Sequence, residues 1–142
     1  MIKGELIDSE QLPMQTGVLT LEQVNLILKH LPVELSFIDE KEIIRYYNKQ
    51  DDKLFAREPD IIGHIVQDCH APESHPAIGK MLDAFRNGER DMSELWIMRD
   101  KKFIHIRYFA LRDSEGKFKG CLEVVQDITK IRKLRGQRKA DW

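Results

Sequence analysis

The sequence predicts an α+β domain: a five-stranded antiparallel sheet with helices on one face and a further helix at each flank. Two observations carry most of this. Residues 92–129 read as three consecutive strands that stop at Asp127-Ile128-Thr129. Met92–Met98 is apolar and aromatic, Phe103–Leu111 is rich in β-branched and aromatic residues, and Phe118–Ile128 follows the turn Asp113-Ser114-Glu115-Gly116. Upstream, Leu35–Ile38 and Ile43–Tyr47 form a strand pair around the polar turn Asp39-Glu40-Lys41-Glu42. Helical periodicity separates the pair from the triplet.

Each element has its own signal. Residues 1–18 are polar and weakly patterned, with Pro13 and Gly17, and read as a linker or flexible arm. Thr20-Leu21-Glu22-Gln23 matches a capping box, and Leu21, Val24, Leu28 and Leu31 recur at helical spacing until Pro32 ends the run. The domain proper therefore spans residues 19–129. After the early strand pair, Lys53-Leu54-Phe55 suits one helical turn and Ile61–Val66 another short piece, while the stretch Cys69–Pro76 carries two prolines, Pro72 and Pro76, which exclude a long element there. Pro76 suits the first turn of a helix whose apolar face is Ile78, Met81, Leu82 and Phe85, closed by Asn87-Gly88. Residues 130–142 are basic and read as a C-terminal helix or linker, with Ile128, Ile131 and Leu134 as a narrow apolar stripe.

Composition excludes several classes of function. The 142 residues suit one domain, and the formal net charge of −1 supplies no global attraction to nucleic acid or anionic membrane. Lys130, Arg132, Lys133, Arg135, Arg138 and Lys139 lack interleaved aromatics, so they read as a solvated or relaying helix; no nucleic-acid partner is expected. No apolar run approaches the ~20 residues that span a bilayer, and no apolar core follows Met1-Ile2-Lys3-Gly4-Glu5. Cys69 and Cys121 follow no disulfide pattern. These points lead to the expectation of a cytoplasmic protein without a membrane partner.

The layout resembles a PAS domain over about residues 21–135. The resemblance rests on Leu35-Ser36-Phe37-Ile38-Asp39 with Ile44-Arg45-Tyr46-Tyr47-Asn48, on Ile62-Gly63, and on Asp113–Gly120 leading to Asp127-Ile128-Thr129. Leu31-Pro32-Val33, Gln67-Asp68-Cys69-His70 with Pro72 and Ser74, Glu94–Ile97 and Phe103–Ala110 resemble more closely the PAS-like C-terminal domain of a bacterial family of uncharacterised proteins. In that family a hemerythrin-like helical domain often precedes the PAS-like part. The resemblance implies a sensory or regulatory module, not an enzyme, in a longer parent protein with other domains. Such modules bind a small ligand between sheet and helices, or relay a signal through homodimerisation. A photoactive flavin is not expected, because Cys69 is followed by His70 and Ala71 and not by an Arg-Phe photoadduct pair.

Seven side chains are candidates for binding. His64, Cys69, His70 and His75 supply four donors in a short span, of the type that borderline-soft metals favour. Cys69, His70 and His75 could hold a metal or haem iron in a redox sensor, although no structural zinc spacing is present. The alternative is a proline-stiffened loop whose donors make local hydrogen bonds. His105 and Arg107 share one face of their strand with Phe103 and Phe109, and Trp96 and Glu94 share a face of the neighbouring strand. That surface could take an acidic or aromatic ligand, or Arg107 could simply pair with Glu94 across the strands. Trp96, Phe103 or Phe109 is expected to be largely buried, and the ligand cavity is expected between residues 62–75, the helix Ile78–Phe85 and the inner face of the last strands.

Overall fold

The computed structural model describes residues 10–48, 54–55 and 58–141. The reading of residues 1–9 as an arm, and Lys53 of the short helical turn, lie outside the described residues. Strands β3 (Glu34–Asp39), β4 (Ile44–Tyr47), β5 (Met92–Arg99), β6 (Lys102–Arg112) and β7 (Phe118–Asp127) form one sheet in the order β4-β3-β7-β6-β5. Every neighbouring pair is antiparallel. The latest strand, β7, is therefore the central one, and the sheet is the α+β arrangement expected.

Local chemistry sets the turns. Asp39 Oδ1 accepts from the amides of Lys41 (2.8 Å) and Ile43 (3.1 Å), and Arg45 Nε donates to Oδ2 at 2.7 Å. Burial works to raise the Asp39 carboxyl, but Arg45 and the two amides more than offset it and hold it below its ordinary value. Asp113 organises the β6–β7 turn by accepting from the amides of Glu115 and Lys117 at 2.9 and 3.0 Å. Gly120, at φ 149°, lets β7 lie against β3: a Cβ there would run into the Ile38 carbonyl oxygen and come within 2.7 Å of the Phe37 ring.

Helix α1 (Leu21–His30) starts at the expected capping box. Gln23 N donates to Thr20 Oγ1 at 3.1 Å, and Thr20 N donates to Gln23 Oε1 at 2.9 Å. Leu21, Val24 and Leu28 are half-buried, while Leu26 and Ile27 are exposed. The helix end is tied to the sheet by Asn48, a side chain only 2% exposed. Asn48 Nδ2 donates to the carbonyls of Leu28 (2.9 Å) and Val33 (3.0 Å), and its Oδ1 accepts from Leu35 N at 2.8 Å.

Helix α2 (His75–Arg86) buries Leu82 and Phe85 against Ile38, Ile44, Val66, Phe118 and Cys121, which form the main core. Ile78 and Met81 pack at its margin. Arg112 of β6 closes the end of α2 by donating to the carbonyls of Phe85 (2.6 Å) and Arg90 (3.2 Å). A second cluster, Ile104, Ile106 and Val125, is covered by Leu54 and Phe55.

Three expectations are corrected. Residues 11–18, read as part of the linker or arm, take part in a hairpin of β1 (Gln11–Pro13) and β2 (Val18–Thr20). It is closed by Met14 N donating to the Gly17 carbonyl at 3.0 Å, with Gly17 at φ 88°. This turn holds locally without burying much, so polarity concealed it. Of the two alternatives for the basic C-terminal segment, helix or linker, the helix is not formed over residues 130–141: one 3₁₀ turn, Ile131–Lys133, is followed by chain without regular structure. Ile131 and Leu134 are 50% and 76% exposed, and a short helix with nothing to pack on is marginal. Finally, Trp96 is 59% exposed, and Phe103 and Phe109 are only half-buried. They lie on the sheet face away from α2, whereas the covered face is held by Ile104 and Ile106.

Candidate functional site

The sheet face toward α2 encloses a cavity. The 3₁₀ turns Pro59–Ile61 and Val66–Cys69 cross that face without filling it, because Gly63 and the prolines keep them short. The lining comes from β3 (Ser36, Ile38), β4 (Ile44), the crossing segment (Ile61, Val66, Cys69, His70), α2 (Ile78, Met81, Leu82), β6 (Tyr108) and β7 (Glu123). Its void is about 30 Å³, space for one or two waters. The walls are mostly apolar, and the polar groups come from two sides. Ser36 and Tyr108 lie opposite Glu123 on its two neighbouring strands, and Glu123 is only 7% exposed. Across from them stand Cys69 and His70.

The seven side chains singled out in the sequence divide among separate places. Cys69 and His70 line the cavity. His70 Nδ1 donates to the Val66 carbonyl at 3.0 Å, which fixes the hydrogen on that nitrogen. His75 Nε2 donates to the carbonyls of Gln67 (2.7 Å) and His70 (3.0 Å), locking the turn that presents Cys69 and His70. His64 is exposed and faces Asp68 at 3.5 Å. Among the described residues, no group of three or more His, Cys, Asp or Glu side chains is arranged to hold a metal ion. The adjacency of Cys69 and His70 in sequence does not carry over into a shared centre with His75, since both histidines spend a ring nitrogen on backbone carbonyls.

Trp96, His105 and Arg107 do gather, but on the opposite face of the sheet. His105 lies opposite Trp96, and Arg107 lies opposite Glu94. The expected Arg107–Glu94 pair is replaced by a diagonal one: His105 Nε2 meets Glu94 Oε2 at 2.6 Å. Arg107 instead lays its guanidinium 5.6 Å from the Phe109 ring centre, and its buried Nε has no hydrogen-bond partner among the described residues. The candidate set thus holds two surfaces separated by the thickness of the sheet.

Sequence reasoning placed Tyr108 on the correct strand face but missed Glu123 and Ser36 as cavity residues. The signal for Glu123 was a lone carboxylate in the apolar run Cys121–Val125, at the same alternation as Cys121 and Val125. Cys121 itself is sealed in the core. Burial pushes its thiol up to about 12, and the charge of Glu123 adds to the effect, so it is no nucleophile.

The last strand ends in a small lock. Thr129 donates to Asp127 Oδ1 through both its hydroxyl (2.5 Å) and its amide (3.0 Å), and Thr129 Oγ1 accepts from Phe103 N at 2.8 Å. These bonds to Thr129 are the main reason that the Asp127 carboxyl sits below its ordinary value. Arg132 then stacks on the Phe103 ring at 3.8 Å.

An antiparallel sheet, short crossing turns and one long helix over a small cavity define an α+β module of the PAS-like kind. The chain belongs to the PAS domain family, whose model matches residues 24–129. Among solved structures, the C-terminal domain of a Streptococcus mutans protein is 38% identical, with a TM-score of 0.84, covering 90% of this chain and 99% of that one. The PAS domain of a Colwellia psychrerythraea protein is 20% identical with a TM-score of 0.56, covering 78% of this chain and 98% of that one. A sensory box sensor histidine kinase from Vibrio cholerae is 14% identical with a TM-score of 0.53, covering 77% and 90%. No curated protein matches the chain significantly. Among the described residues, no helix is long and apolar enough to cross a membrane.

Proposed function

We propose that this chain is a non-catalytic regulatory module of the cytoplasm, in which the cavity beneath α2 takes a small ligand and its occupancy is passed to other domains of a longer protein. The observation that carries this is the convergence of Ser36, Tyr108 and Glu123 from the sheet with Cys69 and His70 from the crossing segment on one apolar cavity. Apolar walls with a few placed polar groups are the general make-up of small-molecule sites. With a void of about 30 Å³, the ligand is either only a few atoms in size or enters as the short 3₁₀ turns move outward. That movement would have to open the backbone bonds that tie the crossing segment to the β3–β4 hairpin, Ile44 N to the His64 carbonyl, Gly63 N to the Ile44 carbonyl and Val66 N to the Glu42 carbonyl.

The test is native mass spectrometry, absorption spectroscopy and elemental analysis of protein purified without chelator. A co-purifying small molecule that is lost in a Glu123→Gln, His70→Ala double variant supports the reading. A Soret band or stoichiometric metal would replace it by a redox sensor, and a protein with nothing bound after incubation with cell extract metabolites would remove it.

A second reading, relay through homodimerisation, is favoured by a specific observation. The edge strand β5 exposes Met92, Leu95, Trp96, Ile97 and Met98 on both of its faces. Light scattering at tens of micromolar separates this from a monomer.

A further inference from the structure

The polar groups around the cavity beneath α2 are mostly acceptors, and they come from opposite walls. On the crossing segment, His70 spends its Nδ1 hydrogen on the Val66 carbonyl at 3.0 Å. In the neutral ring that leaves Nε2 as an acceptor. His75 fixes this wall by donating to the carbonyls of Gln67 and His70 at 2.7 and 3.0 Å. On the sheet, Glu123 is 7% exposed and lines the same cavity. An ionised carboxylate has no donor and about four acceptor sites, so a bond within the protein leaves it able to accept from a ligand as well. The Ser36 and Tyr108 hydroxyls on the neighbouring strands are of either kind.

Size and charge narrow the ligand further. The void of about 30 Å³ has room for one or two waters, hence for roughly two or three heavy atoms. To meet acceptors on both walls, a body this small needs at least two donors on one atom. An alkylammonium nitrogen carries three, an alcohol one and a carboxylate none. Water carries two, but has neither charge nor apolar tail. Among the described lining residues, Glu123 alone has a fixed charge, and it is negative. In apolar surroundings that charge favours a cation over an anion. Ile38, Ile44, Ile78 and Leu82 supply apolar wall for a short alkyl tail. The approach to the cavity has the same sign. Glu123 and Ser36 also border a void of about 10 Å³ shared with Glu34. Glu34 in turn borders, with Asp127 and Lys102, a hollow of about 220 Å³ where β3 begins and β7 ends. A carboxylate at each step draws cations inward.

We infer that the cavity binds the ammonium group of a short aliphatic amine, with its N–H donors on Glu123 and on His70 Nε2 and its alkyl tail toward Ile78 and Leu82. The inference rests on the reading of this cavity as a ligand site, and adds the chemical class of the ligand.

The test uses ethylammonium, ethanol and formate, which have equal numbers of heavy atoms. Each is titrated into the full chain at constant ionic strength and followed by amide NMR shifts. Ethylammonium should shift the amides of Ser36, His70, Tyr108 and Glu123 saturably, with a Kd of roughly a millimolar or above, the limit for so small a ligand. Ethanol should bind at least roughly tenfold more weakly, since it lacks the charge-assisted bonds, and formate should not saturate. In Glu123→Gln, whose amide keeps the shape but turns donors toward the ligand, ethylammonium should weaken by roughly tenfold or more, and ethanol by less than about twofold. The order of the three probes in the parent chain remains a test should the variant fail to fold. Ethanol or formate binding as tightly as ethylammonium overturns the amine class and leaves a ligand cavity standing. A folded variant that keeps the parent's affinity for ethylammonium does the same. Shifts confined to surface carboxylates, with none at the cavity for any probe, also overturn the amine class, and the cavity reading falls with it if nothing co-purifies.

Discussion

Strands β7 and β5 look alike on paper, each about half apolar, yet their fates differ. In β7, Phe118, Cys121, Val124 and Val125 are all buried, whereas in β5 every residue but Ser93 is exposed and none is buried. The difference is position. β7 is hydrogen-bonded on both edges, to β3 and β6, and covered by α2, while β5 is bonded on one edge and lies beyond the reach of the helix. Apolar composition therefore reports core in one strand and an available edge in the other, and burial follows strand order more closely than hydrophobicity.

That contrast can be broken by mutation. The largest effect belongs under α2. Phe85 is fully buried, and Phe85→Ala should cost about 3–5 kcal/mol in urea denaturation. Asn48→Ala comes next. It strands the Leu35 amide and two carbonyls near the α1–β3 junction, and should cost about 2–3 kcal/mol. Gly120→Ala should cost about 1–3 kcal/mol from backbone strain alone, with the clash against Ile38 and Phe37 added. At the other extreme, Met98→Ala should move monomer stability by less than ~0.5 kcal/mol. Equal midpoints for the Phe85 and Met98 variants would erase the distinction between the two strands.

A smaller effect depends on pH. The Asp39 carboxyl is held below its ordinary value in the folded chain, so its contribution is fully present above the unfolded carboxylate range near pH 4 and is lost as pH falls through the folded value. Wild type should lead Asp39→Asn in thermal midpoint at neutral pH, and the gap should close on acidification below about pH 4. A gap that stays constant to pH 2 would mean that the turn is held by something other than the Asp39 charge.

Much of the fold was legible because its signals are local. The capping box at Thr20, the Asp39 and Asp113 turns, the alternation that places Ile104, Ile106 and Tyr108 together, and the apolar face of α2 need only neighbouring residues. What was not legible depends on distance. No local pattern says that β7 inserts between β3 and β6, so Trp96 was expected inside when its strand is in fact the edge. The stripe Ile128, Ile131 and Leu134 has helical spacing but no surface to lie on. Glu123 vanished into an apolar run because its role appears only when Ser36 and Tyr108 are set beside it. Cys69, His70 and His75 read as one cluster because they are near in sequence, while their hydrogen bonds send them to different tasks.

The register of the central pair has a mechanical consequence. Glu34, where β3 begins, lies opposite Val125, two residues before β7 ends at Asp127. The polypeptide therefore enters and leaves the sheet side by side, at the same end of two adjacent strands. Tension applied to both flanks would open the β3–β7 ladder one rung at a time, like a zipper, and would not load all the rungs together. The Thr129 lock on Phe103 and the Asn48 clamp beneath α1 sit at that opening end, and would be the first two bolts to give.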